Sequence, residues 1–433
     1  MKKNFLRVLS LIMVVVLSIS FTACEKDDDT SDDGSKSSSE KEITLKLWHI
    51  WAADTEVAKK PLLDTIKKFE EENKNIKVEV EAYENESYKP KLKTSMQGEL
   101  PDVFFSWGAG FSKPFIKAGK ILPLDDYITD VKDKFMTGTT DNFLGEDGKM
   151  YGIPIYKWAA ILYCNEELFT QNDVKIPETF DDLLKAVKVF KSKDITPIAV
   201  GEKDKWPGML VQNIAAIRTA GVKLSNDALN GKESFDQEKF TDSATKLEEL
   251  VKAGAFGKNP LALSNDESQQ EFLQGKAAMR FMGSWESGNM DGDESKVKGK
   301  VVCKNFPTID GTEGDPEGFL GGAVDTFMVS KETKNPEEAT KLVKYIAENL
   351  SEQSAIAGFG IPAWDGELDE SKLSDTSKQI VDLTSSSTGY VLAWDTFLEG
   401  DAIEEHKNLV AQIFSGDLEP KDFSKKMQEL VEK

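Results

Sequence analysis

The chain has 433 residues and a net charge of −22, with 39% apolar and 9% aromatic residues. A surface this acidic repels phosphate backbones and anionic lipid headgroups, which excludes nucleic acid and polybasic membrane docking. The apolar content is enough for real cores, and the length suits two domains of roughly 150–200 residues each better than one.

The chain begins with an address. Residues 1–7 are basic through Lys2, Lys3 and Arg7, and residues 8–21 form an apolar run broken only by serines. That run is shorter than the roughly 20 residues a membrane-spanning helix needs, so residues 1–23 read as a secretory signal peptide. The small residues Thr22 and Ala23 precede Cys24. This resembles a bacterial lipoprotein box, which implies lipidation of Cys24 and anchoring to the outer face of the cell membrane. From Glu25 to Glu42 there are eight acids, three lysines, a serine cluster and no apolar side chain. Residues 24–42 are therefore expected to be a disordered, solvated tether.

Alternation starts at residue 43. Ile43, Leu45 and Leu47 predict a strand, and Leu62, Ile66 and Phe69 recur at helical spacing. Ile76, Val78, Val80 and Ala82 alternate again, giving a strand–helix–strand unit with parallel strands. Val103 to Phe105 reads as the next buried strand. Thr179 stands three residues before Asp182, a helix start, and residues 195–200 follow as a strand. Asn335, Pro336 and Glu338 supply a cap, a first-turn proline and an early acid for a helix with Ala339, Leu342, Val343 and Ile346 on one face. The fold class is α/β. Of the three cysteines, Cys164 and Cys303 are expected to be buried free thiols, and none of the cysteines or the two histidines has zinc-ligand spacing.

Four stretches in order carry a family resemblance. They are Leu45-Lys46-Leu47-Trp48 with its following helix, Gly148-Lys149-Met150-Tyr151-Gly152-Ile153-Pro154 running on to Phe169, Gly275-Lys276-Ala277-Ala278-Met279 running into Gly283-Ser284-Trp285, and residues 318–330 around Gly321-Gly322. Together they resemble the extracellular solute-binding proteins of sugar ABC importers, the relatives of maltose-binding protein. The resemblance implies a two-lobed periplasmic-binding-protein-like fold of type II with three hinge crossings, expected near residues 152–156, 278–283 and 318–325. Residues 43–153 with 284–320 would form the N-terminal lobe, and 156–280 with 326–433 the C-terminal lobe. It also implies an extracytoplasmic monomer that captures an oligosaccharide by closing its lobes and delivers it to the permease subunits of an ABC transporter.

The candidate ligand-binding residues follow from where the tryptophans fall. Trp48, Trp107, Trp158, Trp206 and Trp285 stand at strand ends or beside Gly or Pro, where a doubly wound fold binds its ligand. An indole plane stacks on the C–H face of a pyranose while polar side chains take its hydroxyls. The competing reading for each ring is ordinary core packing. Trp364, near Pro362, and Trp394 are further candidates, and Trp51 carries the least positional signal. The polar candidates are Asp325 after the glycine pair, Glu286 after Trp285, Lys157 before Trp158, Asp395 after Trp394, and His49 beside Trp48. Asp54 and Glu56 lie just beyond the first strand, where they equally suit a helix cap. The sequence has no Gly-x-Ser-x-Gly elbow and no phosphate loop, and two histidines give little support to a Ser–His or Cys–His nucleophile. A binder without cofactor is expected. A secreted hydrolase using paired carboxylates is the alternative, because 76 acids offer many pairs.

Overall fold

The computed structural model describes residues 42–312 and 314–432. The expected signal peptide, lipidated Cys24 and the tether up to residue 41 lie outside the described residues. In chain order the strands are β1 (Ile43–His49), β2 (Ile76–Ala82), β3 (Val103–Trp107), β4 (Ile153–Pro154), β5 (Tyr156–Asn165), β6 (Thr196–Ala199), β7 (Ala277–Gly283), β8 (Val301–Lys304), β9 (Gly318–Gly322), β10 (Asp325–Val329), β11 (Ile361–Pro362) and β12 (Gly389–Val391).

They form two sheets. The first has the order β2-β1-β3-β10-β4 and the second β12-β9-β5-β7-β6, with β8 and β11 also pairing with β5. β1, β2 and β3 are mutually parallel, and Leu47 sits opposite both Val80 and Val103. Leu45 and Leu47 are fully buried while Thr44 and Lys46 face solvent, the alternation of a strand with one covered face. The helix Lys59–Glu72 makes the crossover from β1 to β2 and buries Leu62, Ile66 and Phe69. A second long helix, Pro336–Ala357, lies against it, with Tyr345 edge-on to Phe69 at 5.4 Å. Asn335 precedes that helix without a side-chain capping bond, so its start rests on Pro336 and the acids Glu337 and Glu338. Thr179 does cap its helix, accepting from the Asp182 amide at 3.2 Å.

The lobe assignment read from motif order needs correcting. β8 and β9 pair with β5, so residues 301–322 belong to the second lobe and not to the first. β10 pairs with β3 and β4, and the helix Pro336–Ala357 packs on the first lobe, so residues 325–357 belong there. No crossing occurs at residues 278–283, because β7 lies wholly in the second sheet between β5 and β6. The chain passes between lobes at Ile155 and at Ala323 and Val324, within two of the expected ranges, and the third passage lies at Gly358–Gly360. Strand order explains the difference. Which sheet a strand joins is decided by its edge partner, which is remote in sequence. At the second crossing Gly321 has φ 142°, and a Cβ there would stand 2.1 Å from the Trp158 carbonyl oxygen. Only glycine permits that approach of β9 to β5. Cys164 and Cys303 are buried free thiols on the paired strands β5 and β8. No helix among the described residues is long and apolar enough to cross a membrane.

Candidate functional site

The carboxyl ends of β1, β3, β6, β7 and β12 all feed one cleft of about 370 Å³ between the lobes. β5 and β10 run the opposite way and open into it with their first residues, Tyr156 and Asp325. Loops after strand ends converge there because the connecting helices cover the sheet faces and leave the edge open.

Aromatic rings line both walls. Trp107, at the end of β3, comes from the first lobe. Its ring packs at 5.1 Å on Phe105 and 4.9 Å on Phe111, and Lys89 lies over it at 5.2 Å. From the second lobe come Trp158, Trp206 and Trp285. Trp158 and Trp285 meet edge to face at 4.8 Å, and Trp206 stands 6.3 Å from Trp285. Trp206 and Trp285 keep part of their surface open to the cleft. Two non-glycine residues with left-handed backbones sit beside these rings, Ala109 (φ 51°) after Trp107 and Lys205 (φ 64°) before Trp206. Such strain persists only where the surroundings fix it. Glu202 contributes by accepting the Gly208 amide at 2.7 Å, which holds the start of the helix Trp206–Leu229; burial pushes its carboxyl well above the usual range.

The acids of the cleft differ in state. Asp325 stands opposite Trp107 in the β10–β3 register. Burial raises its pKa to about 7, against a lowering hydrogen bond from Tyr156. Glu56 is also pushed up to about 7, by burial first and then by the charges of Asp266, Glu286 and Glu84. Glu286 lies at the cleft wall, but Arg280 holds its carboxylate through two bonds of 2.5 and 2.6 Å. Asp395 lies at the wall beside Thr396.

Six sequence candidates stand outside the cleft. Trp394 is fully buried in the second lobe, 4.9 Å from Phe235 and stacked on His406 at 5.1 Å. Lys157 is carried to the other face of β5, because side chains alternate and Tyr156 and Trp158 take the cleft side. His49 is buried and accepts the Trp51 amide on Nδ1 at 3.1 Å, and burial, then Lys59, lowers its pKa to about 4. Trp48 lies edge-on to Tyr83 at 5.5 Å with Lys91 over its ring at 4.2 Å. Asp54 is exposed and pairs with Lys59 at 2.6 Å. Trp364 donates from Nε1 to the Pro154 carbonyl at 2.7 Å, beside the first crossing. Trp51, by contrast, lines the cleft.

Sequence reasoning missed Tyr156, Asp204, Asn265, Asp266 and Phe359, all at the cleft wall. Tyr156 was reachable from strand alternation with Trp158. Asn265 and Asp266 follow Ser264, whose side chain and Glu267 form a capping box, so that pattern marked a helix start.

The lobes also touch beside the cleft. Asn289 donates from Nδ2 to the Thr55 carbonyl at 3.1 Å, and Lys113 pairs with Glu399 at 3.0 Å.

Comparison with known proteins agrees with this architecture. An uncharacterised ABC transporter extracellular-binding protein of Pyrococcus horikoshii is 27% identical over 359 residues, covering 80% of this chain and 77% of its own. The melibiose/raffinose/stachyose-binding protein of Bacillus subtilis is 23% identical over 381 residues, covering 84% and 81%. Among solved structures, a protein described with xylan utilization by the thermophilic bacterium Caldanaerobius polysaccharolyticus is 44% identical with a TM-score of 0.86, covering 89% of this chain and 99% of its own. A chitin oligosaccharide binding protein is 28% identical with a TM-score of 0.81, covering 90% and 98%. The sequence profile of the bacterial extracellular solute-binding proteins matches residues 52–349. The chain belongs to the bacterial extracellular solute-binding protein family.

Proposed function

We propose that this protein is the extracytoplasmic receptor of a sugar ABC importer. It captures an oligosaccharide between its lobes and presents the closed form to the permease. The observation that carries this reading is the pairing of Trp107 from one lobe with Trp158, Trp206 and Trp285 from the other around a single cleft. Indole faces stack on pyranose C–H faces, while Asp325, Asp395 and Asn265 accept or donate at ring hydroxyls. Relatives named for raffinose and stachyose or chitin oligosaccharides, and the neighbour tied to xylan utilization, support a ligand of more than one sugar unit. The three short crossings supply the hinge, and a closed form gains contacts from both lobes at once. Binding near about 1 µM, about −8 kcal/mol, is expected of such a cleft. Cys24 carries the lipid and residues 25–42 the tether, and the receptor works as a monomer without a cofactor.

The test mixes pure protein with di- to tetrasaccharides of xylose, N-acetylglucosamine, glucose and galactose. A saturable change in tryptophan fluorescence without new reducing ends is the expected result. Catalytic release of reducing ends would assign the cleft carboxylates to hydrolysis instead.

A further inference from the structure

Nine carboxyl side chains and two lysines line the cleft, with no arginine or histidine among the described lining residues. Both lysines, Lys89 and Lys93, stand on the helix Asn85–Ser95 of the first lobe. The second lobe contributes acids and no cation to the wall. Part of this charge is already paired. Glu286 is held by Arg280, Glu404 by Lys407 at 2.7 Å, and Glu86 lies 3.4 Å from Lys89. Asp204 accepts the Asn265 amide at 2.7 Å. Five acids remain without an ion pair among the described residues: Glu56, Glu84 and Asp325 from the first lobe, and Asp266 and Asp395 from the second. Of these, Glu56 and Asp266 line the wall from opposite lobes, and the charge of Asp266 opposes the ionisation of Glu56.

The wall offers many acceptors and few cations. Ring hydroxyls donate well to carboxylates, in charge-assisted bonds. A ring carboxylate has the opposite need. It is held by arginine, lysine or converging amides, and it pays for lost water wherever these are missing. We propose that the cleft selects uncharged oligosaccharides and rejects the same chains when they bear a uronic acid, with Glu56 and Asp266 as the rejecting pair. The inference rests on the oligosaccharide-receptor reading and adds to it a rule of charge.

Matched probes test it by isothermal titration at pH about 8.5, where Glu56 is ionised, and at about 20 mM salt, where screening is weak. The pairs are xylotetraose with glucuronosyl-xylotetraose, and cellotetraose with its C6-oxidised tetrauronate. For the pair whose neutral member binds, the acid should bind at least about tenfold more weakly. The methyl ester of that acid, slightly bulkier and without charge, should recover most of the loss. The variant E56Q/D266N should narrow the gap, and about 0.5 M salt should narrow it in the unmodified protein. Equal or tighter binding of the acid overturns the inference, and so does an ester as weak as its acid, since bulk would then be the cause. Both of those results leave neutral binding in place. If no member of either pair binds, and the wider sugar panel also fails, the receptor reading falls and this inference falls with it.

Discussion

Glu286 grips Arg280 through both carboxylate oxygens, at 2.5 and 2.6 Å, with both side chains buried. The other guanidinium donors go to Ser268 Oγ, Asn265 Oδ1 and the Ala199 carbonyl. One arginine thus ties the end of β7, the end of β6 and the helix Asn265–Leu273 together behind Trp285. Glu286→Ala strands a buried charge and is expected to cost about 3–5 kcal/mol. The double variant R280M/E286L removes both charges and should recover most of that loss. Urea unfolding measures both variants, and a single-variant loss below about 1 kcal/mol would contradict the role given to the pair.

Trp394 is a core residue in this account, despite its place after a strand. Its ring is enclosed by Phe235, Phe240 and His406. Trp394→Ala should cost about 3–5 kcal/mol of stability. At a temperature where the variant is still folded, its sugar affinity should stay within about threefold of the parent, as read by titration. A lost affinity with an unchanged melting temperature would return Trp394 to the ligand.

These two tryptophans mark the limit of the sequence. Trp285 and Trp394 are the same residue type, each at a strand end and each followed by an acid. Only remote partners, Trp158 and Trp206 beside one and His406 stacked on the other, separate them. The strand–helix–strand unit through residues 43–82 was legible because its pattern is local and its connection short. The lobe membership of β9 and β10 was not, because three residues of separation cannot say which sheet each edge will join. Lys157 was misplaced for a simpler reason. Strand alternation puts it on the face opposite Trp158, and the sequence contained that fact.

Asp325 makes stability depend on pH. Its carboxyl titrates near 7 in the fold, against 3.8 for an ordinary aspartate. The folded state therefore holds a proton that the unfolded state has lost, and stability falls as pH rises from about 4 through about 7. Asp325→Asn imitates the protonated carboxyl. It should melt above the parent at pH about 8, by at least ~2 °C, with the difference shrinking toward pH about 5. His406, lowered to about 3 by burial first and Lys407 second, works in the other direction, costing stability as pH falls below about 6.5. The comparison between variant and parent cancels that contribution. A difference independent of pH would contradict the assignment.

Gly110 bears on closure. A Cβ at this position would stand 1.9 Å from the Phe397 carbonyl oxygen, across the junction where Lys113 pairs with Glu399. Gly110→Ala should hold the lobes apart without unfolding either one. Solution scattering should then show less compaction on adding a bound sugar, and affinity should fall about tenfold. Normal compaction and affinity would mean that this contact does not take part in closure.

Indoles from facing lobes are proposed to hold the sugar. Isothermal titration of the parent and of Trp285→Ala with xylotetraose and with tetra-N-acetylchitotetraose tests it most directly. The parent should bind at least one of these saturably, with a loss of about 10–100-fold in a variant that remains folded. Equal affinity in the two proteins would contradict it.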